Sequence, residues 1–438
     1  MSSLRFEEFL SKVTSKVKSK EAHEFIKKEL NNHLKELSLS FQRRGASKEE
    51  AEDMAIQEMG NPFSIGENLN LLHKPKMDWV LIVLFVIIAG ISFLPLVGGV
   101  PGMSAHNYNF VGRQIIWVSL AIFALVCSLL FDYRKLKNWW KLIYGSGLAL
   151  ILLTSLFSPQ INGAKRWIAL GNARIDTISI CLLLFFLAWA GIFIRIHEFK
   201  GWKNLVLLFF LFWFPILLYL NLANLMSSFI YFFCIATMFA FSPVHKKIVI
   251  KATAVNVAMA VIFICTLTIN FHNDYLRNRL LAYLNPYADP EGAGYMYIVV
   301  KDILSKAGWF GNGLYNDVNI QQPLPAAHTD FAFPYLVYSL GWVFGIILCL
   351  LLLIFITRIS RNAFKTKDLY GKLLVIGGAT LIAVPACWNI LMGFRIVPIM
   401  GVSLPFISYG GSMLLFYSTI VGLILNVYRR KDIVEPTI

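Results

Sequence analysis

The sequence predicts an all-α polytopic membrane protein of about ten transmembrane helices, preceded by a small N-terminal cytosolic helical bundle. Three observations predict it. The 438 residues are 57% hydrophobic and 14% aromatic, with a mean hydropathy of +0.63, too apolar for a soluble domain of that length. From residue 77 onward the apolar residues gather in runs near the roughly 20 residues that cross a bilayer. Before residue 77, charge is dense and apolar residues recur at helical spacing.

Residues 1–76 read as a bundle of three or four helices, from Leu4 to Lys16, Glu21 to Arg44 and Ser47 to Met59. Gly45 suits a helix stop, Ser47-Lys48-Glu49-Glu50 forms a capping box, and Gly60-Asn61-Pro62 ends the third helix. The phrases around Arg44-Gly45-Ala46 and Met59-Gly60-Asn61-Pro62 look like the short helical prefix found ahead of various Gram-positive membrane proteins. That likeness implies interaction or regulation through an unknown cytosolic partner.

Ten spans follow, at about 78–98, 114–131, 142–158, 176–194, 204–221, 226–242, 252–271, 332–356, 372–394 and 407–428. Only Asn221-Leu222-Ala223-Asn224 parts the fifth from the sixth, so two helices and one broken helix both fit there. Orientation comes from Lys and Arg in the short loops. Arg134, Lys135, Lys141, Arg195, Lys246, Arg361 and the Arg429-Arg430-Lys431 tail fall on the side of residues 1–76, which places both termini in the cytoplasm. The division expected is therefore 1–76 prefix, 77–431 transmembrane domain and 432–438 cytosolic tail. The net charge of +15 serves this orientation; no nucleic-acid motif accompanies it. All six cysteines lie inside apolar spans without a CxxC pair and read as small core residues. No cleavable signal peptide is read in the charged first 70 residues, so the first span is expected to direct insertion.

Two outward segments break the charge rule. One is Gly163-Ala164-Lys165-Arg166-Trp167-Ile168, and the other is the long polar loop 273–330, which carries Arg277, Arg279, Lys301 and Lys306. Cations held outside against the insertion bias suit a phosphate-bearing ligand; for Lys165 and Arg166, interfacial snorkelling with Trp167 in the aromatic belt is the alternative. In the loop, Asn285-Pro286 to Gly294-Tyr295 forces turns around Asp289, and Met296–Lys306 suits a short surface helix. Asp330 closes the loop at the edge of the eighth span, beside His328 and Thr329. A carboxylate there suits a general base, and a helix N-cap explains it as well. His328 has no companion at ligand spacing. No phosphate-binding loop, nucleophile elbow, zinc-protease helix or dinucleotide fingerprint is present.

Several phrases together resemble the SEDS family of cell-shape, division and sporulation proteins. They are Asn162-Gly163-Ala164-Lys165-Arg166-Trp167, Asn285-Pro286-x-x-Asp289-Pro290-x-Gly292-x-Gly294-Tyr295, Leu324-Pro325-x-Ala327-His328-Thr329-Asp330-Phe331, and Pro398-x-x-Gly401-x-x-Leu404-Pro405-Phe406-x-Ser408-Tyr409-Gly410-Gly411-Ser412. They occur in the family's order over roughly residues 78–430. The resemblance implies a peptidoglycan glycosyltransferase that polymerises lipid II into glycan strands at the outer membrane face, with undecaprenyl pyrophosphate leaving and inversion at the sugar. By motif, Asp330 is the implied base. Lys165, Arg166, Trp167, Arg279, Asp289, His328, Ser408 and Tyr409 are the implied substrate contacts. A divalent cation, Mg or Mn, would share the charge, with no metal ligands assigned. The implied partner is a single-pass class B penicillin-binding transpeptidase. Departures from the family pattern also stand out. Asp176-Thr177-Ile178-Ser179 replaces Gln-Pro-Ser-Glu, which reads as loss of its acidic residue. Leu222-Ala223-Asn224 replaces Gln-Pro-Asp, Met296 and Val299-Val300 replace Gln and Gln-Ser, Tyr338-Ser339 replaces Glu-Glu, and Arg395 replaces Gly. These departures motivate an alternative, a scaffold without turnover that recruits or regulates a transpeptidase; a lipid II translocator is a further one.

Overall fold

The computed structural model describes residues 4–72, 76–97, 109–161, 163–171, 173–199, 201–270, 281–314 and 324–431. They divide into two compact units, Met1–Asp78 with Thr366–Asp368 and Tyr428–Ile438, and Trp79–Lys365 with Leu369–Val427.

The first unit is built on α1 (Leu4–Ser15), α2 (Lys20–Arg43), α3 (Lys48–Met59) and α4 (Pro62–Leu72). Phe6, Phe9, Leu10 and Val13 recur on one face of α1 and meet Ile26 and Leu34 of α2 in a dry core. Each such side chain contributes about 1.5–3 kcal/mol on leaving water. The capping box at α3 is present: the Glu50 N–H donates to Ser47 Oγ, and the Ser47 N–H donates to Glu50 Oε2.

In the second unit, ten helices follow the order of the ten apolar runs among the described residues. They are α5 (Trp79–Val97), α6 (Phe110–Leu130), α7 (Trp140–Phe157), α8 (Thr177–Ile194), α9 (Trp202–Asn221), α10 (Leu225–Ala240), α11 (Lys246–Asn270), α13 (Ala332–Phe364), α14 (Leu369–Gly393) and α15 (Gly411–Arg430). The short α12 (Tyr295–Ser305) lies between α11 and α13. Eight of the ten are long and apolar enough to cross a membrane; α10 is apolar but shorter. The span α8 is the axis of the bundle, 78% buried, whereas α6 is 11% buried at its edge. Around α8, Phe185 meets Tyr144, Tyr219 and Tyr231 edge-on or tilted at 5.2, 6.3 and 5.8 Å. α9 and α10 are separate helices, parted by a corner in which Ala223 takes a φ of 57°. Two small antiparallel hairpins, β1 (Gln160–Ile161) with β2 (Ala164–Lys165) and β3 (Trp167–Leu170) with β4 (Ala173–Asp176), join α7 to α8.

The eighth span departs from the plain helix expected. α13 is broken at Gly341, whose φ of 88° and ψ of 170° are not helical. An intact helix would join Trp342 N–H to the Tyr338 carbonyl and Val343 N–H to that of Ser339. Here the loop 308–313 takes those groups instead. Asn312 and Gly313 N–H donate to the Tyr338 and Ser339 carbonyls, while Trp342 and Val343 N–H donate to the Gly308 and Trp309 carbonyls. Irregular backbone at membrane depth persists only where protein supplies such partners. Only glycine fits at Gly341: a Cβ there would lie 2.2 Å from the Trp309 carbonyl oxygen.

Candidate functional site

Asp330 stands on a turn that the Pro-x-Ala-His-Thr-Asp sequence folds onto itself. Ala326 adopts a φ of 56°, and its carbonyl accepts from the N–H groups of Thr329 and Phe331. Both neighbouring carbonyls are pinned from other elements. Ser408 Oγ donates to the Thr329 carbonyl at 2.5 Å and itself accepts from the Leu404 N–H. Asn389 of α14, fully buried, donates through Nδ2 to the Asp330 carbonyl at 2.9 Å and to that of Val402 at 2.7 Å. The N-cap of α13 is Phe331 and makes no side-chain cap. The half-buried Asp330 side chain passes near exposed Gly401, where a Cβ would lie 3.5 Å from Oδ2.

Arg166, in the link between the hairpins, shares the electrostatic neighbourhood of Asp330. Its Nε and Nη2 donate to Asp176 Oδ2 at 3.0 and 2.7 Å. Asp176 is 2% exposed in its side chain, caps α8 by accepting from the Ser179 N–H, and also accepts from Ser179 Oγ. Ser179 stands where the family's acidic residue is expected, but a carboxylate, Asp176, lies three positions before it. It works because the hairpin β3–β4 delivers Asp176 directly to the first turn of α8. Burial disfavours the Arg166 charge, but attraction to Asp176, its hydrogen bonds, and the nearby Asp330 and Tyr417 outweigh that penalty and hold its pKa above the usual value. Met413 of α15 completes the setting, its sulfur accepting from Ser179 Oγ at 3.1 Å and Arg166 Nη2 at 3.6 Å.

The other expected contacts divide. Lys165 is bolted through its backbone to the α9–α10 corner: its N–H donates to the Leu222 carbonyl, and its carbonyl accepts from Asn224 Nδ2 at 2.8 Å. Its Nζ donates to the Ser155 carbonyl at 2.8 Å. Trp167 lies under the Arg166 guanidinium, 5.6 Å from ring centroid to Cζ, and its carbonyl accepts from Ser158 Oγ. His328, Tyr409 and Phe110 form a ring cluster with centroids 5.4–5.8 Å apart. The Tyr409 N–H donates to the His328 carbonyl. Burial pushes the His328 imidazole below its ordinary value, and its Nδ1 has no hydrogen-bond partner among the described residues. Asp289 is occupied with its own turn, accepting from the N–H groups of Gly292 and Ala293 at 3.1 and 2.8 Å. Arg279 lies outside the described residues. Among the described residues no three His, Cys, Asp or Glu side chains converge, so they offer no cage for a divalent ion.

Sequence reasoning named Asp176 and Asn224 only as departures from the family, without their roles, and overlooked Asn389. Asp176 before Thr177-Ile178-Ser179 carried an N-cap signal, and Asn389 was a polar residue inside an apolar run.

Residues 75–433 match the cell cycle protein family model of FtsW, RodA and SpoVE. The probable peptidoglycan glycosyltransferase FtsW of Trichlorobacter lovleyi is 27% identical over 375 residues, covering 82% of this chain and 96% of the relative. FtsW of Pseudoalteromonas translucida is 30% identical, covering 73% and 80%. The peptidoglycan glycosyltransferase MrdB of Escherichia coli K12 is 26% identical, covering 76% and 90%. Among solved structures, a chain of a peptidoglycan synthase complex that coordinates polymerization and crosslinking aligns with TM-score 0.67 at 24% identity, covering 81% of this chain and 98% of that one. Thermus thermophilus RodA aligns with TM-score 0.58 at 20% identity, covering 81% and 97%. These structural likenesses are of fold.

Proposed function

Because the chain belongs to the cell cycle protein family of FtsW, RodA and SpoVE, we propose that it is a peptidoglycan glycosyltransferase that joins lipid II into glycan strands at the outer face of the cell membrane. What carries this reading is that the Asp330 carboxylate lies near enough to the Arg166 guanidinium to favour its charge. Both stand on backbone held by side chains of other elements: the Asp330 carbonyl accepts from Asn389, and the Arg166 carbonyl accepts from Thr177 Oγ1.

Asp330 takes the proton of the acceptor sugar hydroxyl, which is too weak a nucleophile otherwise. The oxygen bonds to the anomeric carbon of the donor as the bond from that carbon to undecaprenyl pyrophosphate breaks. Attack and departure on opposite faces invert the centre. Arg166 faces the charge that develops on the leaving group, and Asp176 holds the guanidinium in place for it. The lipid tails lie along the apolar spans. Lys and Arg in the loops support cytoplasmic termini, which puts Asp330 outside. The likeness to a complex of polymerization and crosslinking supports a class B penicillin-binding transpeptidase as partner, and Met1–Asp78 is the candidate site for a cytosolic one.

A scaffold reading draws on one observation. Val299, Val300, Tyr338 and Ser339, which stand where the family carries polar groups, are all buried here. One assay decides: the purified chain, with and without transpeptidase, is given lipid II and Mg or Mn. Glycan product falling at least about 100-fold in Asp330→Ala is the expected result. No product in any pairing, with complexes still forming, would establish the scaffold. Lipid II flipping in liposomes that survives Asp330→Ala would establish a translocator.

A further inference from the structure

Arg395 follows the end of α14 in a conformation that a side chain rarely takes. Its φ is 60°, the left-handed region, which strains an L-residue relative to glycine. Its Nε is buried with no hydrogen-bond partner among the described residues, a second cost. No carboxylate among the described residues forms an ion pair with it. What the protein supplies is a platform: the guanidinium lies over the Tyr297 ring of α12 at 5.9 Å, and the Tyr297 hydroxyl oxygen accepts from the Ile399 N–H at 2.9 Å. A strained, half-buried cation with a free donor and an aromatic base is a site prepared for an anion.

The surroundings specify which anion. Phe394 and Ile396, on either side of Arg395, are 43% and 59% exposed, and Phe394 stacks on Trp342 with centroids 5.8 Å apart. Apolar groups flanking a guanidinium at the end of a membrane span suit the phosphate of a lipid, with the chain in the bilayer and the head at the interface. The same connection leads on to Gly401 beside the Asp330 carboxylate. We propose that Arg395 binds the phosphate of a membrane lipid of net negative charge at the rim of the loop that adjoins Asp330. The identification of that lipid with the polyprenyl pyrophosphate of the reaction rests on the proposed function; phosphate recognition as such does not.

The test compares the full-length protein with Arg395→Gly and Arg395→Lys in nanodiscs. Affinity is measured for undecaprenyl pyrophosphate and undecaprenol in phosphatidylcholine, and for phosphatidylglycerol against phosphatidylcholine. Arg395→Gly is expected to lose about tenfold in affinity for a phosphate-bearing probe, with undecaprenol binding unchanged. Its melting temperature without the probe is expected to equal or exceed that of the parent, because glycine relieves the backbone. Arg395→Lys should recover part of the affinity. Loss confined to the pyrophosphate lipid assigns the site to the polyprenyl carrier; loss confined to phosphatidylglycerol assigns it to the bilayer. Unchanged affinity for both in Arg395→Gly overturns the proposal. Asp330→Asn separates the two readings: it should bind undecaprenyl pyrophosphate normally and form no polymer. Arg395-dependent binding in a parent protein that makes no polymer would leave this site standing and remove the proposed activity.

Discussion

At the scale of single residues, the Arg166–Asp176 pair has two consequences that can be separated. Removing one partner of a buried pair leaves the other without compensation, at a cost of about 3–5 kcal/mol. Asp176→Asn is therefore expected to lower the melting temperature by several degrees and to reduce polymer yield even where the protein stays folded. Asp176→Glu should restore more yield than stability, and a wild-type melting temperature in Asp176→Asn would show that the pair contributes little. His328 gives a different signature. Burial pushes its imidazole below the ordinary 6.5, so the unfolded chain binds the proton more readily. Its contribution is complete above about pH 6.5 and is lost as pH falls through the lower folded value. Thermal stability should decline on acidification from pH 7 toward 5, and His328→Gln should decline less; parallel curves would rule the histidine out. The sequence put Asp330 and Arg166 in view because their phrases are contiguous. It hid Asp176 because the pairing depends on a hairpin register, Trp167 opposite Asp176, that spacing alone does not reveal.

At the scale of elements, hydropathy located a helix at each of the ten apolar runs, eight of them long and apolar enough to cross a membrane. It missed the break in α13 because Gly341 sits among apolar residues and its partners lie in a polar loop about thirty positions earlier. The splice makes an ordered prediction. Gly341→Ala meets both a φ of +88° and a Cβ 2.2 Å from the Trp309 carbonyl oxygen, so it should destabilise by more than about 2 kcal/mol. Gly308 has a φ of +64° but open space around its Cβ position, so Gly308→Ala should cost only the backbone term, about 1 kcal/mol. Melting temperatures in one detergent test the order, and a reversal would mean the splice is not as drawn. The α9–α10 corner shows the same limit of sequence reasoning. Asn224 was visible as a departure from the family, whereas its bond to the Lys165 carbonyl required the fold.

At the scale of the whole molecule, the chain combines two kinds of cohesion. The core of α1–α4 forms because water rejects Phe6, Phe9, Val13 and Ile26. The spans cohere through shape and scattered polar bonds, since lipid is as apolar as the side chains they present. The two should respond separately to damage. Val13→Asp in the full protein is expected to abolish hydrogen-exchange protection of α1–α3 while the spans keep theirs and polymer is still made. Loss of protection in α8 and α14 as well would show the units to be one cooperative body.

The splice at Gly341 also has a date. Lipid offers no water to a bared carbonyl, so a break in α13 cannot exist before its partners arrive. Alone in the bilayer, Tyr338, Ser339, Trp342 and Val343 satisfy one another only as an uninterrupted helix. Residues 308–313 are already synthesised when α13 enters, yet they must dock sideways to trade two helical bonds for four of their own. A straight α13 is thus the form expected until residues 308–313 dock against it.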